Sequence, residues 1–105
     1  MMSVAQVFEK LEKNFNPDAA QGLDLVFQFN IEDDKNYHLI IKDGTCNLVE
    51  GEHNDPSVTL IMNSETLEGI VSGETDGMQA FMAGQLRAEG DMMLATKLGE
   101  LFTLR

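Results

Sequence analysis

Residues 80–102 read AFMAGQLRAEGDMMLATKLGELF, and they are the most informative segment of the chain because their periodicity changes twice. Its start belongs to a short helix that Asp76 can cap, with three soft or aromatic side chains pointing inward: Met78, Phe81 and Met82. Gly84 ends that helix, and the letters LRAE predict a short strand. A turn at Gly90-Asp91 then leads into a last helix, along which four side chains form an apolar stripe: Leu94, Leu98, Leu101 and Phe102.

The first half predicts a helix followed by strands. A capping-box pattern beginning at Ser3 opens the helix, and Asn16-Pro17 ends it, because the residue before proline is pushed out of helical geometry. Strict alternation over residues 23–32, LDLVFQFNIE, predicts a first strand with Phe27 and Phe29 on its apolar inner face. A later strand, SVTLIMN, precedes a helix with Ser64 as its expected cap.

Asp43-Gly44 predicts a two-residue hairpin turn between YHLIIK and TCNLVEGE. The turn sets a register in which Ile41 faces Cys46 and His38 faces Val49. Cys46 then points to the core while His38 lies on the opposite face of the sheet. The two side chains cannot share a proton, so a thiol–imidazole nucleophile is excluded if the turn is right.

Composition predicts one domain over residues 1–105, since 43% of the residues are hydrophobic and 24% charged. The net charge of −11 argues against binding nucleic acid and against stable attachment to an anionic membrane. No apolar run is long enough to span a bilayer, and the N-terminus lacks a secretory pattern. The final letters FTLR match no peroxisomal or endoplasmic-reticulum address, so a cytoplasmic protein is expected.

Motifs for catalysis are missing from the sequence: there is no Gly-x-Ser-x-Gly elbow, phosphate-cradling loop or His-Glu-x-x-His. One cysteine cannot form an internal disulfide. His53 lies among carboxylates in EGEHNDP, but ligands crowded into one flexible loop are a weak metal signal, and a solvated polar loop is the other interpretation. We therefore expect no enzyme activity, no metal and no cofactor.

The pattern resembles the type-2 sterol carrier protein domain. The stretch 80–102 carries the resemblance at Phe81, Met82, Gly84, Leu86, Gly90, Asp91, Leu94, Ala95 and Leu98. The segment DPSVTLIMNSETLEGIVSGE adds Val58, Thr59, Leu60 and Leu67.

The resemblance implies an α+β fold, with a mostly antiparallel five-stranded sheet of order 3-2-1-4-5 and helices packed on one face. It also implies an apolar tunnel between the sheet and the helices. Members bind fatty acids, fatty acyl-CoA, sterols or other lipids without a catalytic step, and in bacteria the fold also serves as an accessory domain, for instance in quinone biosynthesis or beside sulfatase domains. The missing peroxisomal tripeptide and the end at Arg105 favour a stand-alone prokaryotic form.

The expected function is therefore binding or transfer of a lipid in this tunnel. Methionine is unbranched and polarizable, so it suits a cavity wall, although a methionine stripe is also ordinary core. Arg87 and Lys97 are the only basic residues near the expected tunnel, which weakens the case for acyl-CoA phosphates. The expected lipid-binding residues are Phe27, Phe29, Met78, Phe81, Met82, Met93, Leu94, Leu98, Leu101 and Phe102. The alternative is an accessory module that docks a protein and carries no lipid.

A second apolar surface is expected on the opposite sheet face. With the strand order that the resemblance implies, one residue from each of four strands could form a stripe and make a homodimer contact: Val26, Ile40, Val49 and Ile61. Scattered apolar residues on a surface are the other interpretation.

Overall fold

The computed structural model describes residues 3–102. Residues 1–2 and 103–105, which include part of the N-terminal and C-terminal patterns discussed above, lie outside the described residues. The strands are β1 (Asp24–Ile31), β2 (Tyr37–Lys42), β3 (Thr45–Glu50), β4 (Val58–Met62) and β5 (Arg87–Gly90). The helices are α1 (Val4–Lys13), α2 (Ser64–Ser72), α3 (Gly77–Met82), α4 (Met92–Thr96) and α5 (Leu98–Leu101), and a 3₁₀ turn covers Pro17–Ala20.

The five strands form one sheet in the order β3-β2-β1-β4-β5, as expected. Only β1 and β4 run parallel, while the other neighbouring pairs are antiparallel. The hairpin register is also confirmed, with Ile41 opposite Cys46 and His38 opposite Val49. Both turn residues have positive φ, 54° for Asp43 and 73° for Gly44, as a hairpin turn that matches the strand twist requires.

Helix α1 covers the inner sheet face on the β2 side. Ser3 caps it in the expected capping box. The fully buried Phe8 ring lies 5.1 Å from the Phe29 ring and 4.6 Å from the Tyr37 ring, measured between centroids. The backbone N–H of Leu48 donates to the Glu12 carboxylate at 3.2 Å, which ties the helix to β3. This half of the inner face is therefore filled by packed side chains.

The connection between β3 and β4 crosses the outer sheet face, because β4 must reach the far side of β1. The N–H of His53 donates to the Gln28 side-chain oxygen at 2.9 Å, and His38 Nδ1 lies 2.8 Å from the carbonyl oxygen of Gly51. The crossing loop buries Gln28 and His38, and the rings of His38 and His53 lie 5.2 Å apart. A polar cluster thus occupies the middle of this face.

This cluster interrupts the expected apolar stripe. Val26 does lie opposite Ile40, but Val49 lies opposite the buried His38 and Ile61 lies opposite Asn30. Between Val26 and Ile61 the face carries Gln28 and Thr59, which pair with each other. The prediction of one continuous stripe from Val26, Ile40, Val49 and Ile61 was therefore wrong. Association of two chains through this face stays a prediction, which sedimentation velocity would test.

Two helix predictions also need correction. Helix α2 is capped by Asn63, whose side-chain oxygen accepts from the N–H of Thr66 at 2.8 Å. Ser64 instead donates its N–H and hydroxyl to the Asp33 carboxylate, at 2.8 and 2.6 Å. The last helix is divided into α4 and α5, because the N–H of Lys97 donates to the carbonyl of Leu94, three residues back, which tightens the turn.

Candidate functional site

A cavity of about 810 Å³ lies between the β4–β5 half of the sheet and helices α2 to α5. Its floor comes from the inner faces of β1, β4 and β5: Phe29, Leu60, Met62 and Ala88. Its walls are almost entirely apolar and come from Leu11 of α1, from α2 and from the three later helices. A cavity of this size falls within the range of small-molecule sites.

The local sequence explains why this half stays open while the other half is filled. Alternation along β4 places Leu60 and Met62 on the inner face. Leu60 pairs with Ala88 of β5, whose methyl group is too small to fill the space above the floor. Helix α2 presents Leu67, Ile70 and Val71 at helical spacing to the cavity. The small side chain of Ala88 therefore leaves space above the sheet, and the apolar side chains of α2 enclose that space on one side.

The position of β5 beside β4 depends on the close approach of the Gly90 backbone to the backbone of Ser57 and Val58. Gly90 has a φ of 98°, and a Cβ placed on it would lie 3.0 Å from the carbonyl oxygen of Ser57 and 3.3 Å from the Cα of Val58. Only glycine suits both the positive φ and the lack of space for a Cβ. The approach holds the end of β5 against β4 and places the start of α4 over the floor.

Methionine and phenylalanine side chains surround the mouth of the cavity. Met78, Phe81, Met92 and Met93 line it and are also among the exposed large hydrophobic residues, with Met93 74% exposed. Over residues 3–102, the polar side chains in the lining are Thr75, Asp76 and Thr96, of which only Asp76 is ionisable. An apolar side chain that is both exposed and flexible can close over a bound molecule.

The structure brings five of the ten residues proposed from the sequence together around this cavity: Phe29, Met78, Phe81, Met93 and Leu98. The other five do not line it. Phe27, Leu101 and Phe102 are at most 1% exposed and belong to the packed core, and Leu94 packs against that core. Phe102 enters the core because it leaves the helix in extended geometry and pairs with Phe15 through the backbone. The centroids of the two tilted rings lie 5.7 Å apart.

Met82 is placed differently from the prediction, which had it pointing inward. Its side chain is 79% exposed. Ala80, and not Met82, is the buried residue of α3, because a six-residue helix can present only a narrow face to the rest of the fold. Met82 lies on the outside of α3.

Several lining residues were not named from the sequence. Leu60 and Met62 alternate along the strand SVTLIMN, and Leu67, Ile70 and Val71 follow helical spacing, but neither pattern distinguishes a cavity wall from a packed core. Asp76 was recognised only as a helix cap. Its position at the mouth of the cavity was not predicted, because the sequence pattern of a helix cap does not indicate whether the cap residue lies beside a cavity.

Cys46 is the one thiol of the chain, and among the described residues no histidine is placed beside it on the inner sheet face to activate it. Burial, with a smaller contribution from the nearby Glu12 carboxylate, raises the pKa of the Cys46 thiol to about 12. His38 lies on the other sheet face, as the hairpin register requires. Within residues 3–102, no three histidine, cysteine or carboxylate side chains converge on a possible metal position. None of the helices in that range is both long and apolar enough to cross a bilayer.

The family model described as the SCP-2 sterol transfer family matches residues 5–103. Among curated proteins, hydroxysteroid dehydrogenase-like protein 2 from Bos taurus is 29% identical over 102 residues, which cover 94% of this chain and 24% of that protein. The chain thus spans about a quarter of the length of the curated relatives it matches.

Solved structures share the fold. The inverting sec-alkylsulfatase Pisa1 from Pseudomonas sp. superposes with a TM-score of 0.86 at 21% identity, over 96% of this chain and 16% of that enzyme. Palmitated SCP2L2 from Aedes aegypti superposes with a TM-score of 0.77 at 25% identity, over 94% of this chain and 93% of that chain.

Proposed function

The chain belongs to the SCP-2 sterol transfer family, and we propose that it binds a long-chain lipid in the cavity above β4 and β5 and carries it without a catalytic step. The single observation behind the proposal is the cavity itself, about 810 Å³ in volume and lined almost wholly by apolar side chains. The palmitated relative from Aedes aegypti, with the same fold, adds support.

Burial alone supplies the binding energy in this proposal. Each methylene group moved from water into an apolar site contributes about 0.8 kcal/mol, so a long alkyl chain needs few polar contacts. Met78, Phe81 and Met93 lie at the mouth, where the incoming chain also covers part of their exposed surface. Their flexible side chains can adapt to tails of different shape.

A titration with dodecanol followed by amide NMR tests the proposal. Amide signals of the floor and walls, such as Leu60, Ala88 and Leu98, are expected to shift, while those of β3 on the far edge stay in place. Ala88→Phe adds a ring to the floor that occupies the space of the lipid tail, so binding is expected to weaken at least tenfold. The strand should tolerate the change, because aromatic residues suit strands. The matched control is Ala5→Phe on the exposed side of α1, with unchanged binding.

A thermal melt of both variants keeps the comparison interpretable. If Ala88→Phe keeps the wild-type melting temperature and binds dodecanol as tightly as the wild type, the tail does not occupy this cavity. If the wild-type amides shift neither at saturating dodecanol nor at saturating dodecanoate, the lipid-carrier function itself is wrong.

The second candidate is an accessory module that docks a protein and carries no lipid. The ring of exposed apolar side chains at the mouth favours it, as does the position of Met82, which is exposed without lining the cavity. Exposed apolar patches often mark protein contacts. This candidate predicts no dodecanol-dependent shift at Leu60 or Ala88. A cytoplasmic location is part of the proposal and comes from the sequence.

A further inference from the structure

The charges around the mouth of the cavity point to the class of lipid, an inference that rests on the proposed function. Among the residues that the structure describes, Asp76 is the only ionisable one that lines the cavity. It is exposed, and one carboxylate oxygen already accepts the N–H of Met78 at 3.2 Å, so the side chain is held in place at the rim. A fixed negative charge therefore sits where a ligand's polar end would lie.

Within residues 3–102, no positively charged side chain lines the cavity to compensate the charge of Asp76. Leu86 and Ala88 line the cavity, so alternation along β5 turns Arg87 to the other face, where it pairs with Glu32 at 2.8 Å. Lys97 lies between two lining residues, Thr96 and Leu98, but is not itself part of the lining. The whole chain adds a net charge of −11, which repels anions at longer range.

The polar groups that do reach the cavity are acceptors or can act as such. A carboxylate only accepts hydrogen bonds, and threonine hydroxyls both donate and accept. The hydroxyl of Thr96 already donates to the carbonyl of Met93 at 2.7 Å, which leaves its oxygen as an acceptor. A polar end that donates a hydrogen bond suits this rim, whereas a carboxylate or phosphate would face Asp76 without a counter-charge from the described part of the chain.

We propose that the cavity selects lipids whose polar end donates a hydrogen bond and carries no negative charge, such as long-chain alcohols, and that Asp76 discriminates against fatty-acid anions and acyl-coenzyme A. Like charges a few ångströms apart at an exposed site change an affinity by roughly fivefold to tenfold. Dodecanol is therefore expected to bind at least that much more tightly than dodecanoate at neutral pH, and the difference shrinks as salt screens the charge.

The test is the affinity of dodecanol and of dodecanoate for the wild type and for two variants. Asp76→Asn keeps a good helix cap but removes the charge, so dodecanoate affinity should rise about fivefold or more while dodecanol affinity changes little. Asp91→Asn is the matched control, because Asp91 caps α4 in the same way, through the N–H of Met93 at 3.0 Å, without lining the cavity. Its dodecanoate affinity should change much less than that of Asp76→Asn.

Two results would overturn the inference while leaving the lipid-carrier function intact. One is dodecanoate binding to the wild type as tightly as dodecanol. The other is an equal gain in dodecanoate affinity from Asp76→Asn and Asp91→Asn, which would assign the effect to overall charge. Failure of both compounds to bind the wild type would instead overturn the proposed function and this inference with it.

Discussion

At the scale of single residues, Cys46 is the clearest case of a side chain whose chemistry is set by its position. Burial, and secondarily the charge of Glu12, raise its pKa to about 12. A free cysteine ionises near pH 8.5, and only the thiolate is an effective nucleophile. Labelling of native Cys46 by Ellman's reagent should therefore stay slow through pH 9, and it should become fast in denaturant at the same pH.

The same shift predicts how stability depends on pH. The folded pKa of Cys46 lies above the unfolded one, so its contribution is fully present below about pH 8.5. It is lost as pH rises from there towards about 12. Cys46→Ala should flatten this alkaline decline in urea midpoints measured from pH 7 to pH 10. An equal decline in the variant and the wild type would contradict the account of this residue.

At the scale of secondary-structure elements, the junction of β5 and α4 depends on Gly90. Its φ of 98° disfavours any side chain, and the nearest atoms to an added Cβ are backbone atoms of Ser57 and Val58 that cannot move aside cheaply. Gly90→Ala should lower the free energy of unfolding by about 1–3 kcal/mol, measured by urea denaturation.

Gly99→Ala provides the control for that prediction. Gly99 lies in α5, and a Cβ there would meet no atom within 4 Å. Alanine is a better helix former than glycine, so this variant should be neutral or more stable by about 0.5–1 kcal/mol. A Gly90→Ala variant as stable as Gly99→Ala would mean that the β5–α4 junction tolerates a side chain.

The elements that could be predicted from the sequence are those set by local chemistry. The two-residue turn at Asp43-Gly44 determined a whole strand register correctly, because a tight turn leaves the flanking strands one way to pair. The last helix was predicted as one piece because Leu94 and Leu98 keep helical spacing through the tightened turn at Lys97. A side-chain pattern is nearly unchanged by one such turn, so periodicity alone could not reveal it.

At the scale of the whole molecule, the cavity could not be located from the sequence. Phe27 and Phe29 share one strand face and are indistinguishable by pattern, yet Phe27 is enclosed in the core while Phe29 forms part of the cavity floor. Leu101 and Phe102 continue the stripe of Leu98, but the pairing of Phe102 with Phe15 places them in the core. Where helices settle on a sheet depends on long-range packing, and the cavity is the space that this packing leaves.

The proposed function requires that this cavity holds a lipid, which native mass spectrometry of the freshly purified protein can detect, followed by solvent extraction and lipid analysis. We expect a complex with one long-chain lipid per protein, or an empty protein that takes up one molecule of added dodecanol. An empty protein that takes up neither dodecanol nor dodecanoate would rule out lipid binding in the cavity. The methionine and phenylalanine side chains around the mouth would then be better explained as a surface for a protein partner.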